Sequence, residues 1–313
     1  MGDCLGGPYE GETVSSGDKI IIQRYFDKME KPDFASPFKK YTDDTAMMKS
    51  VAQFLTDKPD PDYNYLSKLF VDEFFKEPRR GYGQGIPAKE QFNGSGSYGN
   101  GGAMRIAPVA LYYHNDYNNM LNVARHVTKV THNHPLGVNG ALLQCIAVHQ
   151  ALLMDPKNSI NPKEFCNELI KKIKIIEEES EEEDHHFITA YQEKLNRIPF
   201  LLNSKYDDEL EDEILYSLGN GIEAYESVPT AIFCFLKAQG DIPRIETSNI
   251  LRRTLQYAIT LGGDTDTIAC MAGAITGAFL GEDQINKQLL SHCEKADDIV
   301  VLADALYKKA LKS

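Results

Sequence analysis

The sequence predicts an all-α fold, and three observations carry this prediction. Apolar residues recur at three- and four-residue steps through most of the 313 residues, whereas the alternation typical of strands is almost absent. Several periodic segments open with Ser, Thr, Asp or Asn, the residues that cap helices. Hydrophobic residues make up 42% of the chain, enough to fill a large core. We expect a single domain over residues 1–313.

Eight segments have the helical spacing. One of them follows Asn161-Pro162, where Asn can cap the helix and Pro fits its first position. The predicted helices are Thr45–Leu55, Tyr65–Phe75, Gly137–Leu153, Pro162–Ile176, Pro229–Ala238, Ser248–Leu261, Thr267–Leu280 and Ile299–Leu311. Between them, Lys58–Asp62 is a Pro/Asp connection, and Gly81–Gly102 is a long glycine-rich stretch of the kind that is often functional.

Charge and composition exclude several classes of protein. A net charge of −13 and a pI near 5.1 leave no broad basic surface for a nucleic-acid backbone, so we expect no direct DNA binding. No run of 18 apolar residues occurs, so no membrane span is expected. The six cysteines are scattered, which favours reduced, buried thiols in an intracellular protein.

Two acidic clusters near the two ends of the chain are its most informative feature. The first is Thr42-Asp43-Asp44-Thr45, and the second is Gly262-Gly263-Asp264-Thr265-Asp266-Thr267. Four carboxylates that came together in the fold would repel one another unless a cation lay between them. Carboxylate and hydroxyl oxygens suit Mg²⁺. A pair of divalent cations, and hence a metal-assisted hydrolase, is the leading hypothesis.

Two other interpretations account for these clusters less well. Asp264-Thr265-Asp266 resembles the opening of an EF-hand loop, but the sixth-position Gly and the terminal Glu of such a loop are missing. An Asp or Thr at a helix start can also serve only as a cap. Capping accounts for one carboxylate per helix, and not for two pairs beside threonines.

The glycine-rich stretch includes Asn93–Gly102, in which Gly94, Gly96 and Gly99 formally match G-x-G-x-x-G. The match is weak, because no βαβ unit surrounds it. Closely spaced glycines still expose backbone N–H groups, and a helix starting at Ala103–Ile106 would complete a phosphate cradle. Phe92 and Tyr98 could stack on a nucleobase. The alternative is a flexible Gly/Ser loop.

Three further features are ambiguous on local evidence. His132 precedes an apolar helix, but a lone loop histidine is more often structural than catalytic. Glu10 lies in a Gly/Pro-rich turn and by itself is an unremarkable surface carboxylate. The stretch Gly219–Ala231 is equally consistent with a simple connection between helices.

The acidic run Glu177–Asp184 is expected to be a solvated helix end or a mobile excursion.

Taken together, the motifs resemble the ADP-ribosylglycohydrolase family. The resemblance spans essentially the whole chain, and its four signature segments occur in order. The C-terminal motif, with Glu226-Ser227-Val228-Pro229-Thr230-Ala231, is similar to the branch that acts on serine-linked ADP-ribose and poly(ADP-ribose). The matching segments are Tyr41–Met47, Gly96–Met104, Gly219–Ala231 and Gly262–Ala269.

The resemblance implies a compact orthogonal multi-helix fold with a central site for two Mg²⁺ ions. Glu10, Asp43 and Asp44 would be catalytic, Glu10 in a mobile flap, and Asp266 would bridge the metals. The implied metal ligands are Thr42, Asp43, Asp44, Asp264, Asp266 and Thr267. The implied diphosphate and ribose site is Gly96, Ser97, Tyr98, Gly99, Asn100 and Gly101, and the adenine end is Phe92, Tyr98, His132 and Ile222.

The implied activity is Mg²⁺-dependent hydrolysis of the O-glycosidic bond that joins ADP-ribose to serine, with poly(ADP-ribose) and O-acetyl-ADP-ribose as further substrates. The partners would be ADP-ribosylated proteins, poly(ADP-ribose) and ADP-ribose, and we expect a monomer. Cytoplasm and nucleus are the implied locations, with the mitochondrial matrix known in the family. A non-catalytic ADP-ribose-binding protein and an arginine-linked ADP-ribose hydrolase are the alternatives.

The sequence departs from the family pattern at three places. The helix that precedes Gly2-Asp3 in the family is not seen, and Gly81–Gly85 runs almost directly into Phe92 where the family has an extra helical stretch. Both differences are expected to remove packing rather than ligands. Ser95 stands where similar members tend to have Lys, which would weaken a phosphate contact.

Overall fold

The computed structural model describes residues 1–35, 37–58, 60–83, 90–179, 189–204 and 208–312, and within them it is helical with no β-strand, which confirms the all-α prediction. The α-helices are α1 (Gly2–Gly6), α2 (Ser16–Met29), α3 (Asp43–Asp57), α4 (Tyr63–Lys76), α5 (Ala107–Tyr112), α6 (Tyr117–Lys129), α7 (Pro135–Leu152), α8 (Pro162–Glu179), α9 (Ala190–Asn203), α10 (Asp208–Ser217), α11 (Ala224–Lys237), α12 (Ile250–Thr260), α13 (Thr265–Leu280), α14 (Lys287–Ser291) and α15 (Ala296–Ala310).

Helices α7 and α13 form the centre of the fold. Both are apolar around most of their circumference, a pattern that predicts burial on all sides rather than on one face. In α7 every residue from Leu136 to His149 is buried. Helix α13 packs against α1, α7, α11 and α12, so it is surrounded by other helices. The first turn of α13 is therefore held inside the protein.

The short helix α1 crosses α13 in direct backbone contact. A Cβ atom on Gly2 would lie 2.1 Å from the carbonyl oxygen of Ala269, and one on Gly6 would lie 2.6 Å from the Cα of Asp266. Only glycine permits this approach, because any side chain would force the two helices apart. The contact places Asp3 of α1 beside the start of α13.

All eight predicted helices are present, but their ends differ from the predicted ones. Helix α3 begins at Asp43 and α13 at Thr265, so both acidic clusters lie partly within their helices instead of before them. Helix α11 begins at Ala224, which places Pro229 inside it. The helix expected at Ala103–Ile106 begins only at Ala107.

Six helices were not predicted from the sequence, namely α1, α2, α6, α9, α10 and α14. Within the described part of the chain, no helix has the length and apolar character needed to cross a membrane. Residues 180–184 of the predicted acidic run lie outside the described residues. Glu178 and Glu179 are exposed at the end of α8, as expected of a solvated helix end. Glu177 differs from that expectation, because it is buried and its carboxylate accepts hydrogen bonds from the Tyr191 N–H and the Gln192 side chain.

The close packing around α7 gives a prediction about stability. A Cβ on Gly140 would lie 2.4 Å from the hydroxyl oxygen of Tyr191 and 2.7 Å from the Cβ of Ala224. We expect Gly140→Ala to lower the free energy of unfolding by about 1–2 kcal/mol, because overpacking outweighs the better helix propensity of Ala. Urea denaturation measures the change.

Gly277→Ala in α13 is the matched control, since a Cβ there would meet no atom within 4 Å. The same chemical change should raise stability at this position by up to about 1 kcal/mol. Equal effects at the two positions would contradict the packing argument.

Candidate active site

The first half of the site is the N-terminus of α3. Thr42 caps the helix, and its hydroxyl accepts a hydrogen bond from the backbone N–H of Asp44 at 3.4 Å. The buried carboxylate of Asp3 accepts three more, from the N–H of Thr42 at 2.9 Å and from the N–H and hydroxyl of Thr45 at 3.0 and 2.5 Å. Asp3 therefore fixes the turn that presents Asp43 and Asp44.

Sequence reasoning assigned no role to Asp3. The signal available was one carboxylate in a short apolar stretch, Gly2-Asp3-Cys4-Leu5. A buried acid needs hydrogen-bond donors, but the sequence does not say where those donors lie.

The second half of the site is the turn before α13. Gly262 and Gly263 have φ angles of 69° and 71°, in the left-handed region that favours glycine. A Cβ on Gly263 would lie 2.2 Å from the carbonyl oxygen of Asn220, and that oxygen accepts the Asp264 N–H at 2.9 Å. The turn directs Asp264 and Asp266 toward the start of α3.

The two halves meet at Asp44. Its Oδ2 atom accepts hydrogen bonds from the Thr42 hydroxyl at 2.9 Å and from the Thr267 hydroxyl at 3.3 Å, a contact across 223 residues of sequence. The Oδ1 atoms of Asp44 and Asp266 are buried and have no hydrogen-bond partner among the described residues. Buried carboxylate oxygens normally have partners, so these two atoms indicate room for a ligand.

Glu10 completes the acidic cluster from its exposed side. Ligand atoms of Glu10, Asp264 and Asp266 all lie within 4.8 Å of one another. The segment that carries Glu10 is held by two backbone hydrogen bonds, from the Gly11 N–H to the Gly263 oxygen at 2.9 Å and from the Gly263 N–H to the Glu12 oxygen at 3.3 Å. A residue that looked unremarkable in sequence thus lies beside the second acidic cluster.

The electrostatics of the cluster favour a bound cation. Burial, with repulsion from Asp266, raises the pKa of Asp43 to about 7. Burial also raises the pKa of Asp264 to about 8, and it raises that of Asp44 well above the usual range. Partial desolvation raises the pKa of Glu10. These groups ionise reluctantly as they stand, and a bound cation would favour their charged forms.

The donor atoms fit a hard divalent cation. Carboxylate and hydroxyl oxygens are the ligands that Mg²⁺ and similar ions take, and two of the buried oxygens lack partners. The predicted ligands, with Thr42, Asp43 and Asp44 on α3 and Asp264, Asp266 and Thr267 on α13, lie at the two adjoining helix N-termini.

The glycine-rich loop lies beside this cluster. A Cβ on Gly96, whose φ is 81°, would lie 2.7 Å from the backbone nitrogen of His134. A Cβ on Gly101 would lie 2.7 Å from the ring of His132. The Asn100 N–H donates to the Ile222 carbonyl at 2.9 Å, and the Asn100 side chain donates to Asp264 Oδ2 at 2.6 Å. The loop is therefore joined directly to the acidic cluster.

The predicted adenine end divides into exposed and supporting residues. Phe92 and Ile222 are 60% and 66% exposed, and the rings of Phe92 and Tyr98 lie 5.6 Å apart. His132 instead packs under the loop, where its Nδ1 lies 2.7 Å from the Thr131 hydroxyl. Burial lowers the pKa of His132 to about 3, so the ring is neutral. Ser97 also supports the loop, since its hydroxyl accepts the Gly99 N–H at 3.2 Å.

Arg80 forms a wall of the site that sequence reasoning missed. Its carbonyl oxygen accepts the Asp43 N–H at 2.8 Å. Its buried guanidinium donates to both carboxylate oxygens of Glu294 at 3.0 Å and to the Tyr41 carbonyl. The charge pair thereby ties the segment before α3 to the C-terminal part of the chain. No local pattern reveals this pairing.

Comparisons with known proteins agree with this geometry. A sequence profile described as ADP-ribosylglycohydrolase matches residues 1–313. The chain is 39% identical to the ADP-ribosylhydrolase ARH3 of Bos taurus, with 100% of this chain and 91% of that protein covered. It is 38% identical to the ADP-ribosylhydrolase ARH3 of Homo sapiens, with 100% and 92% covered.

A solved structure titled "ADP-ribosylglycohydrolase-related protein complex" shares the fold. The TM-score is 0.63 at 21% sequence identity, and the match covers 99% of this chain and 94% of that one. The family consists of metal-dependent enzymes, and the described residues contain an acidic cluster suited to a metal. The chain therefore belongs to the ADP-ribosylglycohydrolase family and is a hydrolase of glycosidic bonds to ADP-ribose.

Proposed function

We propose that the protein uses two Mg²⁺ ions to hydrolyse the O-glycosidic bond between ADP-ribose and serine, and that it also acts on poly(ADP-ribose) and O-acetyl-ADP-ribose. The hydrogen bond from Asn100 to Asp264 is the observation that carries the proposal, because it joins a glycine-rich loop to a cluster of carboxylates. A nucleotide held by the loop would have its reacting ribose beside the acidic cluster.

The loop supplies the binding chemistry for ADP-ribose. Its glycines would let a diphosphate approach the backbone closely, although the Gly96 and Gly99 N–H groups already donate to the Gln91 carbonyl and the Ser97 hydroxyl. The exposed rings of Phe92 and Tyr98 offer a stacking surface for adenine. Neutral His132 lies beneath the loop without adding charge. The chain is acidic overall, so these local donors and the bound cations would offset the charge of the substrate.

The two acidic clusters would hold the ions, with Asp266 between them. Bound there, the ions would supply Lewis acidity that orients the ribose hydroxyls and activates a water molecule. Their ligands would be Thr42, Asp43, Asp44, Asp264, Asp266 and Thr267.

The reaction breaks the bond between C1″ of the ribose and the serine oxygen. The water oxygen forms the new bond to C1″ and passes one proton to a carboxylate of the cluster, and the serine oxygen leaves as a hydroxyl with a proton that a carboxyl group of the cluster gives up. Glu10 is suited to this proton transfer, because it is the exposed member of the cluster and desolvation raises its pKa. The remaining carboxylates favour the positive charge that develops at C1″.

Replacing Glu10 tests its catalytic role. Glu10→Gln keeps the shape of the side chain but removes the proton acceptor, so kcat on serine-ADP-ribosylated peptide should fall by about 10²–10⁴. Glu12→Gln is the control: it makes the same change two residues away, where the side chain is exposed and outside the cluster, and kcat should stay within about twofold. Equal effects of the two changes would refute the assignment.

Replacing Asp264 separates metal binding from stability. Asp264→Asn removes a metal ligand, so Mg²⁺ should no longer raise the melting temperature and turnover should be lost. In EDTA the same variant should melt about 2–6 °C higher than the wild type, because the fold no longer holds an acidic group whose ionisation it disfavours. Differential scanning calorimetry measures both effects.

The pH dependence of the EDTA result has a definite sign. The folded-state pKa of Asp264 is about 8, above its unfolded value. Between these two values the folded carboxyl keeps its proton while the unfolded one ionises, so the free energy of unfolding falls as pH rises. The advantage of Asp264→Asn should therefore grow from pH 5 to pH 8. Exposed Asp283→Asn is the control and should shift the melting temperature at neither pH. An Asp264→Asn variant that melts lower than the wild type in EDTA would contradict the electrostatic argument.

Matched substrates test the proposed linkage. We expect Mg²⁺-dependent release of ADP-ribose from a serine-modified peptide and from poly(ADP-ribose), with little or none from an arginine-modified peptide. High-performance liquid chromatography of released ADP-ribose is the readout. Preferential release from arginine would overturn the substrate assignment, and binding of ADP-ribose without turnover of any substrate would overturn catalysis.

A further inference from the structure

A cleft extends outward from the acidic cluster, and its outer part has no role in the chemistry described so far. Its volume is about 880 Å³, within the range of cavities that hold small ligands. Residues 37–42, just before α3, form part of its lining, and residues 76–81, just after α4, form another part. Both segments are near the Arg80–Glu294 pair, which holds them together.

The inner end of the cleft is the active site itself. Glu10, Thr42 and Gly81 all line it. A Cβ on Gly81 would lie 3.2 Å from Asp43 Oδ1, so the cleft opens directly beside that carboxylate. The glycine-rich loop, in contrast, reaches the cluster through Asp264. An ADP-ribose on the loop would therefore direct its glycosidic bond, and the group attached to it, toward the cleft.

The charge of the cleft is opposite to that of the protein. Its lining contains two acidic residues, Glu10 and Glu77, but five basic ones, whereas the whole chain carries −13. Among the described residues, Lys40 and Arg79 are exposed and have no acidic side chain within salt-bridge distance. The basic residues are Lys39, Lys40, Lys76, Arg79 and Arg80.

An aromatic ring accompanies these cations. Phe38 lines the cleft and is 60% exposed, directly before Lys39 and Lys40 in the sequence. Cations alone would suit any acidic ligand, including an acidic peptide. Cations beside an exposed ring suit a nucleotide, whose phosphates pair with the charges while its base stacks on the ring.

We propose that this cleft binds the ADP-ribose unit on the leaving-group side of the scissile bond in poly(ADP-ribose). The pyrophosphate of that unit pairs with Lys40 and Arg79, and its adenine stacks on Phe38. The inference rests on the proposed hydrolysis of ADP-ribose linkages and adds a polymer-specific subsite to it. It explains how an acidic protein holds a polyanion: the positive charge is concentrated in one cleft.

The test compares binding of a short ADP-ribose oligomer with binding of monomeric ADP-ribose. Both ligands, and an acidic serine-ADP-ribosylated peptide as a third, are measured by isothermal titration calorimetry in EDTA, so that nothing is turned over. For the double variant Lys40→Ser/Arg79→Ser we expect the oligomer affinity to fall about tenfold relative to the monomer affinity. The salt dependence of oligomer binding should weaken by about one unit of slope per lost phosphate contact.

Lys157→Ser/Lys308→Ser is the matched control, since it removes the same number of exposed positive charges away from the cleft. Its ratio of oligomer to monomer affinity should equal that of the wild type. Phe38→Ser should lower the oligomer affinity on its own, and its effect should be insensitive to salt. Circular dichroism melting checks that all variants remain folded.

Three results would overturn the proposal. They are an unchanged affinity ratio in the cleft variant, an equal loss in the control variant, and a loss that appears only with an acidic serine-modified peptide. The last result would assign the cleft to the protein substrate instead of the polymer. If the wild type released no ADP-ribose from any substrate, hydrolysis would fail, while the oligomer-to-monomer ratio would still decide the cleft.

Discussion

The mutual repulsion of buried carboxylates is the constraint on which the rest of this structure depends. Asp43 and Asp44 at the start of α3 adjoin Asp264 and Asp266 at the start of α13, and burial raises the pKa of three of them. The positive ends of two helix dipoles lower this repulsion only in part. A bound cation would offset it, and the stability of the site would then depend on metal binding.

Rigid supports hold the two helix starts together against this repulsion. Glycines let α1 touch the backbone of α13, and the Asp3 carboxylate on α1 then takes three hydrogen bonds from the first turn of α3 and its cap. From the other side, Arg80 links the Asp43 N–H to Glu294 through its carbonyl and its guanidinium. Because the carboxylates of the site repel one another, contacts from outside the cluster must fix its geometry.

The acidic cluster of the candidate site lies between the glycine-rich loop and the basic cleft. Asn100 binds Asp264 on the side of the glycine-rich loop, and Gly81 lies against Asp43 on the side of the basic cleft. A linkage held between these two sides would have ADP-ribose on one and its leaving group on the other. On the proposal made above, the same cluster would serve different leaving groups, and the residues of the cleft rather than the metal ligands would set the preference.

The sequence by itself determined the all-α class, the two acidic clusters and the glycine-rich loop, because helix periodicity, capping and glycine-dependent turns are local properties. The predicted start of α3 is two residues late, since helix ends depend on capping geometry and packing. Helices α2 and α6 were not predicted, although Ser15 and Asp116 cap them, so local signals for both were present in the sequence. Only the tertiary structure brought Thr267 to Asp44, buried Asp3 and Arg80, and gathered Lys40 and Arg79 in one cleft. These relations join residues far apart in the chain, and their distances are fixed by how the helices pack, which no local pattern encodes.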